Sequence, residues 1–412
     1  MRIAVFTDLY LEVPGGIPSS IAAQKAALEK MGHIVTIFCP GNKTDEKNVV
    51  LLPTAKHLKV DGAPVARSPK TIVKYIDENF PRFKSDFDII HAHYEAGASI
   101  AAIMLARKYR IPLVQTMHGR EDMAIAVNVP HPFKTIAGVA LNKAHKKYLN
   151  GYSKSKKIKR DKYLAPSIAT RNMWELMVRE ANAANQVITP SQHFADKLKH
   201  YGVSKPITAV SNGVPDEAIK VRDWKLRMFK KGSGEPLKII WTSRLSKEKR
   251  IIPFLKALEI VKKQTNQFYF TAIGGGNELE KAKKFAKSHG LSKNVKFYGM
   301  IPREEVLKHM EDQHLSIINS YGFDTQGLTI LEAGAVGLPV IYCDKDMDQV
   351  VIKNGGMRAM DESPEKMAAL ILAIIDHPEL IEKMSDACFK KRETVLQSTQ
   401  IKKLLEVYNK LV

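Results

Sequence analysis

RIAVFTDLYLEVPGGIPSSIAAQKAALEKMGHIVTIFCPG, residues 2–41, reads as strand, glycine turn, helix and strand in succession. The apolar run at 2–8 suits a buried strand. After Pro14-Gly15-Gly16 the apolar residues of 17–32 take helical spacing and stop at Gly32, and 33–41 returns to a strand pattern. A helix joining two strands is the β-α-β unit, which obliges the strands to run parallel. Further strands are predicted at DIIHAH (88–93), PLVQTMHG (112–119) and QVITPS (186–191), with helical patterns between most of them.

After VSNGVPD (210–216) the alternation begins again. LKIIWTSR (237–244), FYFTAIGGG (268–276), VKFYGMI (295–301), LSIINS (315–320) and LPVIYCD (338–344) read as strands, and 250–264 and 278–290 as helices. The fold class is therefore α/β: two Rossmann-like, doubly wound domains facing a central cleft and joined near 213–236. The first spans 1–213 and the second 214–394. A C-terminal helix over 395–412 has the option of packing back on the N-terminal domain.

A chain of 412 residues suits two cores better than one. Cys39, Cys343 and Cys388 are too few and too scattered for a disulfide framework or a thiolate metal site, which points to a reducing compartment. The N-terminus runs straight into a strand with no secretion-signal pattern, and no apolar run approaches the roughly 20 residues that cross a bilayer. The cytoplasm is the expected compartment. A net charge of +21 calls for an anionic partner: nucleic acid, anionic lipid or a phosphorylated substrate.

Ligands of parallel sheets bind beyond the carboxyl ends of the strands, where helix N-termini offer free N–H groups. Three strand-to-helix turns here are glycine-rich: Gly15-Gly16, Gly274-Gly275-Gly276 and the turn at Gly327. Glycine also serves simply to permit a tight turn. SRLSKEKR, 243–250, sets Arg244 and Lys249 in a loop after a strand, a planar fork and a mobile point charge able to neutralise a diphosphate. The alternative is a solvated basic loop.

SRLSKEK, followed by D-x7-E in DTQGLTILEAGAVGLPV (324–340), resembles the retaining glycosyltransferases of family 4, which have the two-domain GT-B fold. The family usually reads G-R-L in the first motif and E-x7-E in the second, so Ser243 and Asp324 are departures; the latter carboxylate is one methylene shorter. The resemblance extends to FTDLYLEVPGGIPSSI, to 88–119 and to YGVSKPITAVSNGV, and is most similar to the diacylglycerol glucosyltransferase subgroup. It implies that Arg244 and Lys249 hold the nucleotide diphosphate and that Glu332 accepts the ribose hydroxyls. Asp324 would sit by the 3- and 4-hydroxyls of the sugar, helped by the N–H groups of Gly327 and Leu328. His118 would lie against the donor sugar, Gly16 beside the phosphates, and the base near Tyr298 to Ile301. Such a reaction needs a nucleotide sugar and no cofactor, and no metal is expected.

Two clusters resemble metal sites. His91 and His93 in HAHYE share one face of a strand, as zinc ligands can, without an identifiable third ligand. Asp344 and Asp346 in DKDMD follow a strand, where a solvated loop is the alternative.

The segment 131–163 places Phe133, Ile136, Ala140, Ala144 and Tyr148 near one helical stripe and crowds Lys143, Lys146, Lys147, Lys154, Lys156, Lys157, Lys159, Arg160 and Lys162 around it. Such a segment suits docking on an anionic membrane, as a lipid acceptor would require; a core helix followed by a solvated loop is the plainer reading. No nucleic-acid module accompanies the charge. The expected function is transfer of a hexose, glucose from UDP-glucose, to a membrane lipid such as diacylglycerol, by a peripheral protein on the inner face of the cell membrane. A GDP-mannose-dependent or polysaccharide-assembling transferase is the alternative within the class. A non-catalytic membrane- or polyanion-binding protein on the same fold is the alternative outside it.

Overall fold

The computed structural model describes residues 1–10, 15–60, 63–162, 164–219 and 226–412. Pro14 of the first turn and residues 220–225 of the expected connection lie outside the described residues. The chain divides into two compact units, Met1–Gly213 with Gln400–Val412, and Val214–Thr399.

The first unit is built on strands β1 (Arg2–Thr7), β2 (Ile34–Pro40), β3 (Val49–Leu52), β6 (Ile89–His93), β7 (Leu113–Thr116), β8 (Gln186–Thr189) and β9 (Ile207–Ala209), with β4 (Thr54–Val60) and β5 (Ala63–Ala66) paired separately and antiparallel. The order of the sheet is β3-β2-β1-β6-β7-β8-β9, all parallel. β1 shows why it is central. Ala4 and Phe6 enter one apolar cluster with Phe38, while Ile3 and Val5 enter another on the opposite face with Ile37 and Ile89. Successive side chains point to opposite faces, so a strand covered on both sides must be apolar throughout.

The second cluster is completed by helix Gln397–Asn409, whose Ile401, Leu404, Val407 and Tyr408 recur at helical spacing and are buried against this face. Burying each such side chain contributes roughly 2 kcal/mol.

The second unit carries β10 (Leu237–Thr242), β11 (Phe268–Ile273), β12 (Val295–Gly299), β13 (Leu315–Ile318), β14 (Val340–Tyr342) and β15 (Gly356–Arg358) in the order β12-β11-β10-β13-β14-β15, again all parallel. Trp241 and Phe270 face one cluster, Ile240 and Ile273 the other. The chain winds outward from β10 through β11 and β12, then resumes on the other side of β10 with β13. The gap between the carboxyl ends of β10 and β13 is thus a topological switch point, where open α/β sheets bind ligands. Each unit is Rossmann-like and doubly wound, as the alternation of strands and helices predicts. No helix among the described residues is long and apolar enough to cross a membrane.

Candidate active site

Three loops meet at the carboxyl end of the second sheet. Those after β10 and β11 touch through their backbones: the N–H of Leu245 donates to Gly275 O (2.8 Å) and that of Glu278 to Leu245 O (2.9 Å). A Cβ on Gly274 would stand 2.2 Å from Ser243 O, and one on Gly276 2.3 Å from Leu245 O. Glycine is required here because two main chains meet. The glycine-rich turn thus has a structural task independent of any phosphate contact. At Gly15-Gly16, by contrast, Gly15 is extended and a Cβ there would meet nothing closer than Pro18 at 3.8 Å; exposed Gly16 opens helix Gly16–Lys30.

Lys249, on the loop after β10, reaches across the switch point to Asp324, on the loop after β13, with Nζ 2.5 Å from Oδ1. The two side chains are only 15% and 9% exposed. Ser320 donates its hydroxyl to the other carboxylate oxygen. Burial alone would raise the Asp324 pKa, but the charge and hydrogen bond of Lys249, the Ser320 hydroxyl and the charge of Arg244 outweigh it and hold the group below its ordinary value. Arg244 itself is largely exposed, its guanidinium 3.7 Å from buried Glu248.

Gly327, at φ 75°, caps helix Leu328–Ala335, so that Leu328 begins a helix whose first N–H groups have no intrahelical acceptor. Glu332, one turn further, is buried and held by Arg303, whose Nη2 and Nε stand 2.7 and 2.9 Å from Oε1. Burial raises its pKa, and Arg303 acts against that rise. Tyr298 is partly exposed and tilts against His309, and Ile301 packs at the edge of the core. Their segment abuts the glycine turn through Gly274 N–H to Gly299 O (2.8 Å). Arg244, Lys249, Asp324, Gly327, Leu328 and Glu332 therefore gather at one edge of one sheet, with Tyr298 and Ile301 beside the adjoining turn. Sequence reasoning missed Arg303 and Ser320. Ser320 lies four residues before Asp324, a spacing that offers a faint signal; Arg303, 29 residues from Glu332, offers none.

In the first unit His118, just beyond β7, is buried with His91 and His93. The His93 and His118 rings stack 5.0 Å apart, with His93 Nδ1 2.8 Å from His118 Nε2. His91 Nε2 lies 2.6 Å from Thr116 Oγ1. Burial depresses all three, His91 to about 3, His118 to about 4 and His93 well below its ordinary value, so the imidazoles are neutral at physiological pH. Among the described residues no group of three or more His, Cys, Asp or Glu side chains has the arrangement of a metal site. The Asp344 pair is not a solvated loop: Asp344 is 5% exposed and accepts the N–H groups of Gly322 (2.7 Å) and Asp346 (3.0 Å), bracing the loop that carries Asp324.

The alternative reading of the basic segment, with its apolar stripe as a core face, does not hold. In helix Phe133–Leu149 the buried face is Gly138, Asn142, His145 and Leu149. Gly138 is pressed on Ala169, where a Cβ would come within 3.0 Å of the Ala169 Cα. The stripe Phe133, Ile136, Ala140 and Ala144 faces outward instead, Phe133 being 63% and Ile136 62% exposed; Tyr148 leaves it to pack on the core. Lys143, Lys146 and Lys147 are exposed on the same helix, and Lys156, Lys157, Lys159 and Arg160 on the segment after it. Lys143, Lys146, Lys154 and Lys157 line a cavity of about 730 Å³ together with Arg171 and Arg179. The Glu175 carboxylate on its wall accepts from the Asn142 amide (2.9 Å) and the Ile158 N–H (3.0 Å).

Residues 14–218 match the family model described as Glycosyltransferase Family 4, and residues 224–391 the one described as Glycosyl transferases group 1. The chain is 24% identical over 400 residues to the alpha-monoglucosyldiacylglycerol synthase of Acholeplasma laidlawii, covering 93% of this chain and 91% of that one. It is 26% identical over 395 residues to the protein of the same name from Streptococcus pneumoniae, covering 93% and 80%. Among solved structures, Anabaena HepE in complex with UDP-glucose superposes with a TM-score of 0.67 at 16% identity, covering 99% of this chain and 100% of that one.

Proposed function

Since the chain belongs to glycosyltransferase family 4 and has the GT-B fold, we propose that this glycosyltransferase retains anomeric configuration and moves glucose from UDP-glucose to the free hydroxyl of a membrane lipid such as diacylglycerol. The observation that carries the lipid half of this reading is the outward stripe of Phe133, Ile136, Ala140 and Ala144 with lysines beside it. An apolar face turned to solvent needs a cover, and a basic surround selects an anionic one: the plane of a membrane. The names of the two relatives agree with this choice. The protein then works as a peripheral protein at the cytoplasmic membrane face.

For the donor, Arg244 and Lys249 meet the diphosphate. Lys249 exchanges Asp324 for a phosphate oxygen, which frees the Asp324 carboxylate to accept the 3- and 4-hydroxyls of the sugar. Glu332, already oriented by Arg303, accepts the ribose hydroxyls, and the N–H groups of Gly327 and Leu328 serve the sugar. The base lies by Tyr298 to Ile301; His118 and Gly16 take the family's sugar and phosphate contacts. In the transfer, the bond from the anomeric carbon to the diphosphate oxygen breaks as the acceptor oxygen bonds on the same face. The acceptor proton passes to the departing phosphate. Negative charge grows on the diphosphate, so fixed cations beside it lower the barrier. No step requires a cofactor or a metal.

The test is a panel of nucleotide sugars with and without diacylglycerol vesicles, with products identified by mass spectrometry and the anomer by NMR. UDP release from UDP-glucose that depends on diacylglycerol, with an α-glucoside formed, is the expected result. Turnover only with soluble acceptors, or with GDP-mannose in place of UDP-glucose, would refute the assignment.

A further inference from the structure

Six cations converge on the cavity beside helix Phe133–Leu149. Lys143 and Lys146 come from that helix, Lys154 and Lys157 from the segment after it, and Arg171 and Arg179 from helix Ile168–Ala183. All three elements belong to the first unit. Glu175 is the only carboxylate among the lining residues, and its hydrogen bonds come from Asn142 and the Ile158 N–H. The four lysines form no ion pair among the described residues. Like charges gathered in a concavity with low-dielectric walls focus a positive potential into it, and a bound anion relieves their repulsion.

The walls are cross-linked. The buried Arg179 guanidinium donates from Nη1 to Asn142 Oδ1 (2.8 Å) and from Nη2 to Ser155 Oγ (2.9 Å), tying its helix to both other elements. The Ser153 hydroxyl donates to the Arg179 carbonyl, and Glu175 repeats the link through Asn142 and Ile158. These bonds hold the cavity open before a ligand arrives, so less entropy is lost on binding.

A volume of about 730 Å³ suits a small molecule better than a bare inorganic anion. No aromatic ring lines the cavity, so a nucleotide base would have nothing to stack on. Asn150 and Ser155 offer an amide and a hydroxyl to the hydroxyls of a polyol. Lys143 stands two helical turns beyond Ile136 of the outward stripe, and exposed Ile168 is part of the cavity wall, so the cations adjoin apolar surface.

We propose that this cavity is a binding site for a phosphate ester of a small polyol, carried either by a soluble molecule or by the headgroup of an anionic lipid. Only the lipid source rests on the membrane docking proposed above.

The test is calorimetric titration of the full-length protein, without vesicles and at about 0.15 M NaCl, where exposed charge is screened beyond about 8 Å. The ligands are glycerol 1-phosphate and dihexanoyl phosphatidylglycerol, the latter kept monomeric. Two variants of equal charge are compared with the wild type. Lys154→Gln/Arg171→Gln takes two cations from the cavity wall; Lys147→Gln/Lys159→Gln takes two exposed cations of the same segment that do not line it. Saturable binding is expected, weakened at least about tenfold in the first variant, the scale of one lost charge-assisted hydrogen bond, and less than about twofold in the second. Lys143→Gln/Lys154→Gln serves if the loss of Arg171 impairs folding. Binding of the lipid at least tenfold tighter than that of glycerol 1-phosphate identifies the headgroup as the source, and any smaller ratio identifies the soluble ester. No saturable binding of either ligand would overturn the site. Equal losses in the two variants would overturn it as well, by showing a diffuse attraction to charge.

Discussion

Lys249 and Asp324 each make sense only in the presence of the other. Both are largely removed from water, and a buried charge that loses its partner typically costs about 3 kcal/mol or more. Lys249→Ala is therefore expected to destabilise the protein on that scale and to reverse a pH dependence. In the wild type the Asp324 pKa is held down, so its stabilising contribution is full above the ordinary carboxylate range and is lost as pH falls through the lowered value. Without Lys249, burial dominates and raises the pKa, so the folded state retains the proton longer than the unfolded chain and this site favours folding at acid pH instead. Melting curves from pH 7 down to pH 3 check this: the difference in stability between wild type and variant should shrink as pH falls. The residues of this pair were legible in the sequence through the family resemblance that S-R-L-S-K-E-K and D-x7-E carry, since short motifs survive in the linear text. Arg303 was not, since its salt bridge to Glu332 joins the first residue of helix Arg303–Glu311 to the second turn of helix Leu328–Ala335, two elements that only folding brings together.

At the scale of elements, strands flanked by helices are readable when each is long enough to show its period. β1 and β10, with six residues each, are such cases, and β14, with three, is read because it lies inside the buried apolar run 338–343; β9 and β15, three residues each and only partly buried, leave too little pattern to register. Helix Phe133–Leu149 shows the converse difficulty. Its apolar stripe is plain in the sequence, but periodicity says only that one face differs from the rest and not which face meets the core. The decision is made by Gly138, which allows this helix to press on Ala169, and by Asn142, which donates to Asn172 and Glu175. A small residue and a polar one thus take the buried side. The double variant Phe133→Ser/Ile136→Ser removes two exposed apolar side chains worth roughly 2 kcal/mol each on burial. It is expected to weaken partition onto phosphatidylglycerol vesicles at least tenfold in sedimentation assays, while the melting temperature stays within about 1–2 °C because nothing inside is disturbed.

For the whole molecule, the net charge of +21 sets a field rather than a contact. The cations of the 131–163 segment are mostly exposed, and salt screens exposed charge over about 8 Å at 0.15 M and 3 Å at 1 M. The Lys249 pair is sheltered from that screening. Raising NaCl from 0.05 to 0.5 M should therefore reduce vesicle binding at least tenfold, yet change UDP-glucose affinity, measured by calorimetry without vesicles, by less than threefold. Comparable losses in both would mean that the donor and the membrane draw on the same exposed cations.

The division of the chain into units has a consequence for how the protein is made. Val214–Thr399 is an insertion between two parts of one body, for Gln400–Val412 supplies Ile401, Leu404 and Tyr408 to a layer begun by Ile3 and Val5. During synthesis, the first sheet must wait with one face only partly covered, by Ile21 and Leu28 of helix Gly16–Lys30, while nearly two hundred further residues are translated. A ribosome releasing the chain at Thr399 would leave the second unit whole and the first without Ile401, Leu404, Val407 and Tyr408. Nascent chains arrested there should be the ones chaperones hold longest.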